Sequence, residues 1–150
     1  VIRRATPEDA EAIGDVFVRA RDLMTYLPRI PDEDRPLLEG WIVRRHETWV
    51  AEKAGRITGF SGLGAAMLDH LYVDPEAQNR GIGTALLDHT KSQRPAGFQL
   101  WVFQENEGAR RFYERHGCSL VKLTDGSLNM EKEPDALYEW LPSRPGSTAR

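Results

Sequence analysis

The chain reads as one α/β domain, strands interspersed with helices, and three observations carry that reading. Short apolar strands and amphipathic helices follow one another in the order β-α-α-β-β-β-α-β-α-β-β. Residues 71–87, LYVDPEAQNRGIGTALL, run from a strand through a Pro-marked turn and a glycine loop into a helix. With 150 residues, 40% hydrophobic and 29% charged, the chain has length for a single sizeable core and shows no linker or repeat.

Each element has its local reason. Residues 1–5 read as a first strand. Thr6 then caps a helix with Pro7 in its first turn and Glu8 and Asp9 near its positive end. Ala10, Ile13, Phe17, Ala20 and Met24 supply its apolar stripe. Three prolines between residues 25 and 36 preclude a continuous helix there. A second helix is expected over about 34–45, with Leu37, Leu38, Trp41 and Ile42 turned inward. Residues 48–53 and 56–63 flank the Ala54-Gly55 turn and predict a hairpin, and 66–73 the fourth strand. The glycine-loop helix runs to about Gln93, and residues 98–103 form the fifth strand. A further helix opens at Asn106, a good N-cap, and stops at Gly117. Strands over 119–123 and 136–141 enclose a polar loop. The Pro, Ser and Gly-rich tail, 142–150, is expected to be disordered.

The loop Gln78, Asn79, Arg80, Gly81, Ile82, Gly83 carries the chemistry. Glycines remove the Cβ atoms that keep a ligand off the main chain. Unpaired N–H groups at the mouth of the following helix, its macrodipole and Arg80 all favour an anion, a diphosphate being the natural occupant. A Walker loop requires Lys-Ser/Thr after its last glycine, and no Lys follows Gly83. A dinucleotide fingerprint requires a third glycine where Leu86 stands. What remains, Gln-x-x-Gly-x-Gly followed by Thr84 and preceded by Val73-Asp74-Pro75, resembles the coenzyme A loop of the GNAT superfamily of N-acetyltransferases. A second block, Asn106, Ala109, Phe112, Tyr113 and Gly117, is similar to the other half of that family's cofactor site and lies downstream in the family's order.

The resemblance covers roughly residues 1–141 and implies the single-domain GNAT fold, a mixed central sheet flanked by helices, with fourth and fifth strands parallel and splayed apart. It further implies acetyl-CoA as cosubstrate and direct attack by the primary amine of a small molecule or peptide on the thioester. A non-catalytic acetyl-CoA sensor or interaction module is the competing class. A backbone N–H of Tyr72 or Val73 would polarise the thioester carbonyl, and the strand edge from Leu71 would pair with the pantetheine amides. Tyr113 matches the family's general acid, although packing beside Phe112 would also explain it. Asn106 suits either the pantetheine arm or its own helix cap. Asp69 is the first choice for a general base, at even spacing from Leu71 and Val73, ahead of His70 and Glu52. Tyr26, Leu27, Arg29, Trp41 and Trp49 are acceptor-site candidates. The stretch 124–142 resembles the C-terminal part of a bacterial GNAT subgroup, with Leu128 and Met130 departing from its pattern.

Composition excludes other classes. Twenty basic residues are interspersed among 23 acidic ones, net charge −3, which gives no clustered positive face for nucleic acid. Cys118 stands alone, so no intramolecular disulfide is available, and it reads as a small buried residue. His46, His70, His89 and His116 show no metal-ligand spacing and read as surface or packing residues; no metal is expected. No apolar run approaches a membrane span and no signal pattern opens the sequence, so the expected location is the cytoplasm, without a membrane partner. Members of the family often dimerise, which makes a homodimer the alternative to a monomer.

Overall fold

The structure, a computed structural model, describes residues 1–142. Its elements are β1 (Ile2–Arg4), α1 (Ala10–Arg21), α2 (Arg35–Arg45), β2 (Glu47–Lys53), β3 (Arg56–Leu63), β4 (Leu68–Val73), α3 (Ile82–Gln93), β5 (Phe98–Phe103), α4 (Glu107–Arg115), β6 (Ser119–Leu123) and β7 (Asp135–Trp140). The expected tail at 142–150 lies, apart from Pro142, outside the described residues.

Two antiparallel sheets make up the middle layer, in the orders β1-β2-β3-β4 and β5-β7-β6. They touch through one parallel bridge, Met67 to Gln99, where the Gln99 N–H donates to the Ala66 carbonyl at 2.9 Å. The parallel relation follows from the crossover helix α3 between β4 and β5. Beyond that bridge the two strands separate, as the resemblance implied.

One core lies under α1 and α2, where Ile13, Val16, Phe17 and Ile42 meet Val50 and Phe60. The other lies on the α3 and α4 side and holds Leu63, Leu68, Leu87, Phe98, Leu100, Tyr113 and Tyr138. Two helix readings need correction. α1 ends at Arg21, so Met24 belongs to the following loop and not to the helical stripe. α2 buries only Ile42, while Leu37 is 74% and Trp41 40% exposed. A spacing of three and four marks one face of a helix but not how much of that face its neighbours cover.

Candidate functional site

Main-chain alternation decides which amides look into the gap between the sheets. The Asp74 N–H donates to the Thr58 carbonyl at 2.8 Å, and Tyr72 and His70 stand opposite Phe60 and Gly62. In an antiparallel ladder that repeat turns the polar groups of Tyr72 and His70 toward β3 and those of Leu71 and Val73 toward the gap. On the other side, the Gln104 N–H donates to the Pro134 carbonyl, which commits Val102 and Leu100 to β7 and leaves Trp101 and Phe103 facing the gap. The space between is a cleft of about 670 Å³ walled by β4, β5, the glycine loop, α4 and the loop after α1.

The glycine loop closes one end of the cleft. Asn79 (φ 64°) and Gly81 (φ 79°) both take the left-handed conformation, and α3 starts at Ile82. Alternating such residues gathers consecutive N–H groups into a nest at a helix mouth. A Cβ built on Gly81 would meet nothing within 4 Å, so the space above it is open. Gln78, Asn79 and residues 81–84 line the cleft, whereas Arg80 is exposed beside it. Asp74, 3% exposed, anchors the turn: its carboxylate accepts the Glu76 N–H and pairs with Arg19 and Arg56, each at 3.2 Å. Two guanidiniums offset the cost of burying that charge and tie the loop to α1 and β3.

α4 makes the facing wall. The Asn106 side chain caps it, accepting the Ala109 N–H at 3.1 Å. Ala109, Phe112 and Tyr113 line the cleft. Tyr113 is 7% exposed, and burial raises its phenol above the ordinary value, with Tyr72 and Cys118 adding to the shift. It therefore stays protonated throughout the neutral range. His116 pins this wall to the glycine loop. Its Nδ1 donates to the Phe112 carbonyl (2.8 Å), so its Nε2 accepts the Thr84 hydroxyl (3.1 Å). Cys118 is buried behind α4, as its position after the helix stop suggested.

Asp69 sits where strand alternation does not place it. Gly62 stands opposite His70 and Leu63 opposite Leu68, so Asp69 is the extra residue of a β-bulge. Leu68 and Leu71 consequently share one core, and the Asp69 carboxylate reaches within 3.5 Å of His46 Nε2 while still lining the cleft. Asp69, Leu71 and Val73 all line the cleft and His70 does not, but the bulge rather than regular alternation sets the Asp69 direction. Gly62 and Gly64 on and beyond the partner strand were the one local signal of such a bulge. His70 is buried among Phe17, Trp41, His46 and Phe60; burial, and secondarily the nearby His46, pushes it down to about 3. Glu52 pairs with Arg3 on β1, away from the cleft.

The acceptor candidates separate. Tyr26 lines the cleft edge-on to Phe103 (ring centroids 5.9 Å apart), its hydroxyl buried without a partner among the described residues. Burial pushes its phenol up to about 12. Leu27 and Arg29 line a smaller adjoining hollow. Trp49 is elsewhere, packed against the His89 ring at 4.3 Å with its Nε1 donating to Glu47. Trp41 stacks on His46 and His70 outside the cleft. Sequence reasoning missed Trp101, Phe103 and Glu105, which line the cleft because β5 runs along its far side. Among the described residues no group of three or more His, Cys, Asp or Glu is placed to hold a metal, and no helix is long and apolar enough to cross a membrane.

A mixed α/β domain with a cleft between diverging strands, closed at one end by a glycine-loop helix mouth, is the class that fold and site define. The sequence family described as acetyltransferase (GNAT) domain matches residues 44–117. An uncharacterized N-acetyltransferase of Methanocaldococcus jannaschii is 32% identical over 149 residues, covering 87% of this chain and 66% of that relative. The chain thus spans just under two thirds of that relative's length. The peptidyl-lysine N-acetyltransferase YjaB of Escherichia coli is 28% identical, over 80% of this chain and 82% of its own. YjaB's apo solution structure superposes with a TM-score of 0.74 at 25% identity, covering 95% and 98% of the two chains. The fold also matches yncA of Salmonella typhimurium, solved with its cofactor acetyl-CoA (TM-score 0.76, 17% identity, 99% and 97% covered). The chain belongs to the GNAT superfamily of N-acetyltransferases.

Proposed function

We propose that this protein transfers the acetyl group of acetyl-CoA to a primary amine by direct attack, with no covalent enzyme intermediate. The observation that carries this reading is the alignment of the open β4 edge with the Gly81 nest across one cleft. The diphosphate seats on the nest, and the pantetheine runs from there along β4 as an added strand, bonding the free polar groups of Val73. The thioester then lies deeper, toward the closed end at Met67. Its carbonyl meets the Leu71 N–H, or that of Val73, but not that of Tyr72, which is turned to Phe60. Such a fixed donor contributes about 2.7–4 kcal/mol to the barrier reduction.

An alkylamine of pKa about 10.4 is neutral in only about one molecule in 2,500 at pH 7, so attack needs a base. Asp69 lines the cleft and takes that role; Tyr113 protonates the departing thiolate. Asn106 serves α4 as a cap and presents its side chain to the pantetheine. Tyr26, Trp101 and Phe103 surround the acceptor's stem, and Glu105 favours a cationic amine. The peptidyl-lysine activity in YjaB's name makes an exposed lysine of a peptide the first acceptor to test, with small-molecule amines second.

Thiol release from acetyl-CoA is to be measured across a panel of lysine peptides, polyamines and amino acids, with acetyl-CoA binding followed by calorimetry. Amine-dependent release supports the enzyme. Binding without release from any amine favours a sensor, and failure to bind acetyl-CoA removes the reading altogether.

A further inference from the structure

His46 closes the space behind Asp69. It follows the last residue of α2, with its side chain only 8% exposed. Its Nδ1 lies 3.1 Å from the Ile42 carbonyl, which can only accept, so Nδ1 carries the hydrogen. The neutral ring therefore presents the Nε2 lone pair to the Asp69 carboxylate, 3.5 Å away. A proton arriving at Nε2 would be held by that carboxylate on one side and by a carbonyl at the negative end of α2 on the other.

The remaining charges around the ring leave this pair isolated. His70 of β4 stacks edge-on at 4.7 Å and is neutral through burial. Glu47, the next residue in the chain, is taken by Arg94 at 3.0 Å and by the Trp49 indole at 2.9 Å. Trp41 of α2 and Gly62 of β3 complete the surroundings without adding charge. Asp69 thus has the cleft on one side and a buried proton acceptor on the other, an arrangement created by the bulge that sets it out of strand alternation.

We propose that Asp69 and His46 form a proton relay for the acceptor amine, a deepening that rests on the function proposed above. The N–H bond of the bound ammonium breaks as an O–H bond forms at Asp69. That proton then moves to His46 Nε2, leaving an imidazolium paired with the regenerated carboxylate. The amine keeps the freed electron pair and attacks the thioester carbon, giving an adduct that still carries two N–H bonds. The C–S bond breaks with its pair on sulfur, the thiolate takes the Tyr113 proton, and the surplus N–H proton passes to the Tyr113 phenolate, leaving amide, thiol and phenol. His46 never touches substrate, so it is a positioning residue acting through Asp69.

The test pairs kinetics with a measurement that needs no turnover. With a lysine peptide as acceptor, His46→Asn keeps a donor for Ile42 but loses the acceptor at Nε2. It should lower kcat by about 10–100-fold, remove the acid limb of the kcat/KM profile that depends on this imidazole, and leave acetyl-CoA affinity by calorimetry within about twofold. His46→Gln, similar in reach but unable to take a proton, should not restore the rate. An unchanged kcat and profile in His46→Asn would overturn the relay while leaving the acetyltransferase reading intact. If the wild type releases no thiol with any amine, the function falls instead. Nitrogen NMR of the histidines still judges the pair: it should show the Nδ1–H form of neutral His46, and Asp69→Asn should shift the His46 Nε2 resonance. An Nε2–H form, or no shift, would overturn the pairing.

Discussion

Replacing Tyr113 with Phe removes one oxygen from the cleft wall and leaves the ring in place. That ring packs edge-on against Phe112 at 5.2 Å and within the α3–α4 core. The hydroxyl engages none of the described residues in a hydrogen bond, so its loss orphans no partner and folding stability should change by less than about 1 kcal/mol. The catalytic effect should be larger. A positioned general acid contributes about 10²–10⁴-fold. A thiol of pKa about 8.5 is a fair leaving group even unprotonated, which places the loss near the lower end, about 10²-fold or 2.7 kcal/mol on the barrier. The assay is steady-state thiol release at saturating acetyl-CoA and lysine peptide, with calorimetry for acetyl-CoA and a thermal melt as controls. The expected result is a kcat down about 10²-fold, with coenzyme affinity within about threefold. A kcat within twofold of wild type would take Tyr113 out of the chemistry; weaker binding with unchanged kcat would reassign it to packing against the coenzyme.

Three further outcomes are expected. Gly81→Glu forces a side chain into the left-handed region, at about 1–2 kcal/mol, and puts a carboxylate into the open space over the nest. Calorimetry should then detect no acetyl-CoA binding by a variant that remains folded by circular dichroism, and binding within tenfold of wild type would disprove the cradle. His70, pushed down to about 3 from 6.5, stays neutral in the folded chain while the unfolded chain takes up a proton below about pH 6.5. Stability is therefore lost as pH falls from about 6.5 toward 3, at up to about 1.4 kcal/mol per pH unit. Urea melts between pH 7 and 5 should show this slope flattened in His70→Leu, and an equal slope in both proteins would refute it. Cys118, 5% exposed and with its thiol pushed up to about 11 by burial, should react with an alkylating reagent only after unfolding. Rapid labelling of the native protein would contradict that.

The parts of the site legible in the sequence are those with local causes. Gly81 is needed where the backbone is left-handed, Asn106 where a helix opens, and Gly117 (φ 91°) where it stops. Each is a demand that a short stretch of backbone makes on one residue type. The strand at 98–103 was likewise readable, since its alternating burial follows from residues two apart. Asp69 was readable as a strand carboxylate but not as a bulged one, because a bulge depends on the register against β3. Trp49 and Trp41 illustrate the same gap: large rings suit a pocket or a core equally, and only their neighbours decide.

By itself, then, the order of residues determined the element sequence, the glycine loop and the family resemblance that the comparisons bear out. These rest on backbone preferences and capping that act over a few positions. Tertiary structure alone decided that Leu71 and Val73, not Tyr72, face the gap, that Glu105 and Trp101 join the cleft, and that His46 stands behind Asp69. The physical reason is that strand pairing and packing join residues distant along the chain, and one register shift of a single residue is enough to redirect a side chain.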